Sequence, residues 1–347
     1  MKWSLLLCLL PLIGGPGTHD LSKPVEQFVL PAELLEVSGL TDLDEHTVAC
    51  LQDEVATIYV VDLRDGKITE RHPFGPPGDM EGLTRIGDEL YALRSDGLIY
   101  QLQRNDERYT AVDSFRMQLD HRNIEGLGYD EKQNLVLVAP KDILKGGPDT
   151  RDQRSVFAFD PATHKLLPKP VLTYSVKHII RKAEADGVKL PTRTTKKGKT
   201  VDALKLRMSS IAVDPVSDHY FLLSAVDQTL LVLDRNGTFV KLHLLDADLL
   251  PKPEGITFLP NGDMLISTEG EKRVAATGPL CAAVGIESDG TERPPSSLFP
   301  ALTLSRISLD ERYSMVFLLE SDSVQPARWI LPRPITHKGD GGAADNA

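Results

Sequence analysis

Met80-Glu81-Gly82-Leu83 opens a stretch that runs through a turn at Gly87-Asp88, an apolar run from Glu89 to Leu93, a second turn at Ser95-Asp96-Gly97 and another run from Leu98 to Leu102. Short apolar runs bounded by Gly, Asp and Ser are the signature of an antiparallel meander. The opening recurs. Glu36-Val37-Ser38-Gly39-Leu40, Ile124-Glu125-Gly126-Leu127 and Pro253-Glu254-Gly255-Ile256 repeat it, and Met208-Ser209-Ser210-Ile211 is a weakened copy. Counted at Ser38, Glu81, Glu125, Ser209 and Glu254, the steps are 43, 44, 84 and 45 residues. A unit of about forty residues and four strands is a β-propeller blade.

Five openings predict an all-β, five-bladed β-propeller within residues 18–275. Lys23 to Leu30 reads as one strand that pairs into the last blade and closes the ring, which removes an open edge. Six blades are the alternative, if Leu302 to Leu319 forms another. The doubled step is read as an insertion at 177–207, with ten Lys and Arg against three Asp and Glu. It is basic and partly helical, since Tyr174 to Asp186 has helix character and Gly187 is a stop signal. One reading is a solvated helix and loop. The other is an arm for an anionic partner, including peripheral membrane contact through 177–207. After Arg273 the grammar fails, so residues 276–347 read as an atypical C-terminal extension, disordered in part.

The chain of 347 residues is 41% hydrophobic and 26% charged, an ordinary globular composition. Thirty-nine Lys and Arg against fifty Asp and Glu give a net charge of −11, and aromatics are only 6%. Neither a cationic face for phosphates nor a stacking platform is indicated, so no nucleic acid is expected as a partner. Lys2 followed by the apolar run Trp3 to Ile13 and by Gly15-Pro16-Gly17 reads as a signal peptide over residues 1–17. A periplasmic or secreted protein is expected, with membrane association, including lipidation at Cys8, as the alternative. Three cysteines make no disulfide framework, and Cys50 lies in a strand-like run where a buried free thiol is expected.

In a propeller the first strand of each blade lines the central channel, so equivalent motif positions converge on one axis. Glu81, Glu125 and Glu254 are therefore the candidate metal ligands, with Ser38 and Ser209 in the two remaining blades. Crowded glutamates raise one another's pKa, and a hard cation removes that penalty. Calcium accepts six to eight oxygens in loose geometry, and no histidine shares the register. The alternative is that the glutamates bond to backbone NH groups and lock the ring. A second ring about fifteen residues later holds Asp53 and Glu54, Ser95-Asp96, Lys141, Asp227 and Glu269. These are rim positions for a ligand, or ordinary turn chemistry. No GxSxG elbow, HExxH motif or P-loop is present. The histidines share no register, and His121-Arg122-Asn123 ahead of Glu125 is the one group placed for the channel mouth.

The Glu-x-Ser-Gly-Leu opening, Gln52-Asp53-Glu54, Met80-Glu81-Gly82-Leu83, Ile124-Glu125-Gly126-Leu127 and the segment from Pro253 to Gly270 together resemble the SdiA-regulated (YjiK-like) proteins. These are exported or membrane-anchored bacterial five-bladed propellers. The resemblance covers roughly residues 20–273. It implies calcium binding linked to calcium response or cell-envelope homeostasis, with Glu81, Glu125 and Glu254 at the acidic motif positions and Ser38 and Ser209 as weaker ones. It also implies roles for Glu269 and for Asp53 and Glu54, its first-blade counterparts. The chain beyond Arg273 departs from that pattern.

Two functions follow. The first is an exported calcium-binding propeller acting as a monomeric binding or sensing module, with a small-molecule or protein ligand at the channel mouth. The second is a calcium-dependent hydrolase of lactonase or phosphoesterase type, with Asp53, Asp96 or Glu269 as base. Propellers host both.

Overall fold

The computed structural model describes residues 19–22, 24–270 and 315–319. The signal-like segment, Cys281 and most of the C-terminal extension lie outside the described residues. Five small antiparallel sheets form the propeller. Blade 1 runs through Val37–Asp42, Thr47–Gln52, Thr57–Asp62 and Lys67–Pro73. Blade 2 runs through Met80–Ile86, Glu89–Arg94, Leu98–Asn105 and Arg108–Arg116. Blade 3 has Ile124–Asp130, Leu135–Pro140 and Gln153–Asp160, and two short strands, Lys165–Leu166 and Leu172–Ser175, share the outer edge of the third. Blade 4 comprises Ser210–Val213, Tyr220–Ser224, Thr229–Leu233 and Phe239–Leu244.

Blade 5 is assembled from both ends of the chain. Pro253–Phe258 and Met264–Thr268 are followed in the sheet by Met315–Leu319, and Glu26–Val29 is the outermost strand, with Phe28 opposite Val316. The expected closing strand is therefore present. The six-bladed alternative is not, because Met315–Leu319 supplies the third strand of blade 5 instead of starting a new blade. The propeller thus reaches past residue 275 for its last strand.

The inner strands contact one another in the order 1-2-3-4-5-1, a closed ring. The glycine of the repeated opening makes this approach possible. A Cβ on Gly82 would stand 2.7 Å from the Glu125 carbonyl oxygen in the next blade. Further out, the core consists of five apolar clusters, one between each pair of neighbouring blades. Leu90, Leu102, Ile58 and Leu51 fill the space between blades 1 and 2, and Leu93, Ile99, Val136 and Phe159 that between blades 2 and 3. Burying side chains of this size contributes about 1.5–3 kcal/mol each. Cys50 is a buried free thiol in the blade 5–blade 1 cluster, and burial pushes its pKa up to about 12.

The insertion leaves blade 3 after Ser175 and returns at the start of blade 4. Its helix is Val176–Ala185, capped by the Ser175 hydroxyl, which accepts from the His178 N–H at 3.1 Å. Ile179, Ile180 and Ala183 pack it onto the blade 3–blade 4 core, and Lys177, Arg181 and Lys182 face outward. A two-stranded hairpin, Thr192–Thr194 with Thr200–Asp202, follows and pairs with no blade.

Candidate functional site at the channel mouth

Each inner strand opens with an irregularity that decides where its motif residue sits. Pairing to the second strand skips one residue between Val37 and Gly39, Met80 and Gly82, Ile124 and Gly126, and Pro253 and Gly255. The skipped residues are Ser38, Glu81, Glu125 and Glu254. A bulge re-aims its side chain out of the pleat, so the same signal that marks the repeat gathers these groups at one end of the channel. In blade 4, Ser209 directly precedes the inner strand.

The three glutamates converge, and a lysine stands among them. Lys141 follows the second strand of blade 3, and its Nζ lies 2.5 Å from Glu125 Oε2 and 3.9 Å from Glu254 Oε1. Asn123 Nδ2 donates to Glu125 Oε1 at 2.9 Å. Burial is the main force raising the Glu81 carboxyl, followed by the charges of Glu125 and Asp79, and together they push it up to about 9. Burial also lifts Glu254 to about 7, with Lys141 pulling against it. Glu125 is raised by burial and drawn back by Lys141 and Asn123. Burial alone would lower the Lys141 pKa, but Glu254, Glu125 and Glu81 outweigh it and hold the ammonium above its ordinary value. Glu81 is therefore the member of the ring that favours its protonated form at neutral pH, and Glu125 is the one ion-paired to Lys141.

The two serines have other work. Ser38 Oγ donates to the Leu51 carbonyl at 3.3 Å, and Ser209 Oγ to the carbonyls of Pro253 at 3.2 Å and Leu223 at 3.4 Å. Both hydroxyls tie the start of the inner strand to neighbouring backbone, which is the locking role set out above for the glutamates.

The second ring has a common origin in four blades. The backbone N–H groups of Asp53, Ser95, Lys141 and Glu269 donate to the carbonyls of Glu36, Asp79, Asn123 and Lys252, at 3.1, 2.8, 3.0 and 3.0 Å. The side chains diverge from there. Asp53 Oδ1 accepts from Gln52 Nε2 at 2.9 Å, and the Glu54 N–H donates to Gln52 Oε1 at 3.0 Å. Glu269 meets Lys252 at 3.4 Å and adds to the negative field at Glu254. Asp96 is drawn outward, paired with Arg94 at 2.8 Å and Arg116 at 2.9 Å, and these partners hold its carboxyl well below the usual range. Asp227 in blade 4 accepts from the Lys205 N–H and the Ser224 hydroxyl instead.

Sequence reasoning missed Asp79 and named Asn123 only as part of the His121-Arg122-Asn123 group, yet both act directly on the glutamates. A signal was present, because both stand two residues ahead of the motif glutamate, in register with Glu36, Arg207 and Lys252. His121 does reach this edge of blade 3, where its Nδ1 lies 2.8 Å from Asp142 Oδ1.

The oxygens of Glu81, Glu125, Glu254 and Asp79 are of the kind a hard cation takes. Their arrangement is not a cage. Among the described residues no three His, Cys, Asp or Glu side chains are grouped to hold a metal ion, and the Lys141 ammonium sits where the carboxylates come together. Calcium fits the chemistry of this ring but not its present geometry.

No known family profile matches the chain, and no curated protein matches it. Among solved structures it is similar to the glutaminyl cyclase of Myxococcus xanthus, 14% identical with a TM-score of 0.47, covering 70% of this chain and 90% of that one. It is also similar to the PQQ-bound aldose sugar dehydrogenase of Streptomyces coelicolor, 14% identical with a TM-score of 0.44, over 76% and 97% of the two chains. These are distant likenesses, and the chemistry in those names belongs to those proteins. Among the described residues no helix is long and apolar enough to cross a membrane.

Proposed function

We propose that this chain is an exported binding or sensing propeller of the SdiA-regulated kind, and that its channel mouth takes a cation in competition with Lys141. One observation carries the reading: the buried carboxyls of Glu81, Glu125 and Glu254 gather around the Lys141 ammonium, with Asp79 adding negative charge beside Glu81. Such a site is short of positive charge, and burial makes the shortage costly. Calcium is the first candidate, with Glu81, Glu125 and Glu254 as the residues that would hold it and charge neutralisation as what it would supply. The chain's own residues do the rest. Asn123 orients Glu125, Ser38 and Ser209 fix the starts of their inner strands, and Asp53, Glu54 and Glu269 set the charge at the rim.

Export, to the periplasm or beyond, is supported by Lys2 and the apolar run after it. Contact with an anionic membrane or partner is supported by the insertion, which leaves and rejoins the propeller at the mouth face. Among the described residues none of its ten Lys and Arg side chains forms an ion pair.

The test is a thermal melt of the full chain in EDTA, with calcium then titrated back, for the native protein and for Lys141→Met. A ligand that binds only the folded state at about 100 times its Kd adds roughly 2.7 kcal/mol. A calcium-selective rise, larger in Lys141→Met and lost in Glu125→Gln, is the expected result. No rise in either protein would overturn the cation reading.

A second reading, hydrolysis, draws on Glu254. A buried carboxylate held near neutrality is suited to general base work. Turnover of a lactone or phosphoester, abolished in Glu254→Gln with the fold intact, would favour it.

A further inference from the structure

The inner strands that carry glutamates at one end build a second site at the other. Three residues beyond the bulge, the strands of blades 1, 2 and 5 place Thr41, Thr84 and Thr257 in register. These blades are consecutive around the ring, so the three threonines form an arc. They line a cavity of about 480 Å³ on the face opposite the mouth. The same register position is Gly128 in blade 3 and Ala212 in blade 4, so no side-chain hydroxyl completes the arc there.

The threonines are 4%, 6% and 8% exposed, and among the described residues none of their hydroxyls has a hydrogen-bond partner. Each hydroxyl oxygen stays open to the cavity, so three in one arc are donors and acceptors free to meet a ligand in place of water. Apolar contact is at hand, since Leu40, Leu83, Leu127, Ile211 and Ile256 form the adjoining ring.

Charge narrows the ligand class. Arg85 is paired with Asp42 at 2.6 Å and also donates to the Asp42 and Gly87 carbonyls. Arg235 is taken by Asp130 and Asp218, and Lys132 by Asp218 at 2.7 Å. Asp214 accepts from the Val216 N–H and the Ser217 hydroxyl in its own turn. Of the charged residues lining the cavity, only Glu131, exposed at the rim, is left without an ion pair or hydrogen bond of its side chain among the described residues. No cation is left to recognise an anion, and the rim carboxylate lies away from the threonine arc.

We propose that this cavity is a second binding site, taking a neutral, hydroxyl-rich molecule of hexose size. The ligand's hydroxyls meet Thr41, Thr84 and Thr257, and its C–H face lies on the leucine and isoleucine ring. A cavity of this volume falls within the ~300–1,000 Å³ range of small-molecule sites.

The experiment is calorimetric titration of the full chain with D-glucose, D-galactose and D-mannose, and with glucuronate and glucosamine as charged counterparts. Saturable binding of at least one neutral hexose is expected. Thr84→Val and Thr257→Val keep side-chain shape and remove the hydroxyl, and each should weaken binding about fivefold, since one net hydrogen bond is lost. A thermal melt establishes that each variant is folded, and loss of an unpartnered hydroxyl should leave the melt unchanged or raised. No saturable binding of any neutral hexose would overturn the proposal. So would tighter binding of either charged sugar, or an affinity untouched by both valine variants.

Discussion

Arg154, at the start of the third strand of blade 3, donates from Nε to the carbonyl of Leu206 at 3.0 Å, 52 residues further on. The same guanidinium also donates to the carbonyls of Lys205, Arg151 and Gln153. Between these contacts lies the whole basic insertion, so one side chain fastens its far end to the blade it left. Arg154 is buried, and burial lowers its pKa; its hydrogen bonds go to carbonyls, while Asp152 and Asp227 act on it only through their charge. Hydrogen bonds from a charged donor contribute about 1.5–3 kcal/mol each in such a setting. Arg154→Met is expected to lower stability by about 2–4 kcal/mol. It should also speed tryptic cleavage within 189–199 ahead of global unfolding, which limited proteolysis followed by mass spectrometry would read.

The Lys141 pairing gives a double-mutant prediction. Lys141→Met leaves Glu125, only 3% exposed, without its counter-charge. Breaking a buried pair on one side costs about 3–5 kcal/mol, and removing both charges restores much of it. Urea melts of Lys141→Met, Glu125→Gln and the double variant should give a coupling energy above about 1.5 kcal/mol. Additive losses would mean the two groups do not act as a pair.

Glu81 sets a pH dependence. Its folded pKa, about 9, lies above the model-peptide value of 4.5, so the folded state favours the protonated form. The stabilisation is fully present below pH 4.5 and is lost as pH rises from there to about 9. Glu81→Gln keeps the neutral shape at every pH. Its melting temperature should match that of the native protein near pH 4.5 and exceed it increasingly toward pH 9. A constant difference across that range would show that Glu81 does not titrate in this window.

His243 moves the opposite way. Burial is the main force lowering its pKa to about 4, helped by Lys241 and His19. Neutral histidine is favoured by folding, so its contribution is present above pH 6.5 and is lost as pH falls toward 4. His243→Gln should therefore narrow its stability deficit as pH falls from 7 to 4, measured by melts in matched buffers.

The third strand of blade 5 yields the last prediction. Phe317 is fully buried in the blade 4–blade 5 cluster. Phe317→Ala should cost about 3–5 kcal/mol, the usual penalty for emptying an aromatic site in a core. A chain ending at residue 275 should fail to give a cooperative melt, because blade 5 would lack Met315–Leu319 and with it the partner of Glu26–Val29.

Most of the blade architecture was legible because the glycine and the following leucine or isoleucine recur in four of the five inner strands, at the positions where the bulges fall. Glu81, Glu125 and Glu254 could be named from that register alone. Met315–Leu319 could not be assigned, since its pairing partner stands 47 or more residues back, at Met264–Thr268, and no motif marks it. Asp96 was placed at the rim by spacing, and spacing carries no information about Arg116, whose strand approaches only after the blade folds. Lys141 was in the right ring, but its role depends on Glu254 two blades away, a contact that exists only once the circle is closed.

That circle is closed by Glu26–Val29 lying along Met315–Leu319. During synthesis Glu26–Val29 must therefore wait, unpartnered, until all the other blades and Met315–Leu319 have followed it. Until then the chain carries a free strand at one end and an unfinished sheet at the other, each shaped to receive its counterpart. Two incomplete copies offer each other the same pairing, so dilution and a chaperoned passage favour the single ring, and crowding during assembly favours exchange between neighbours.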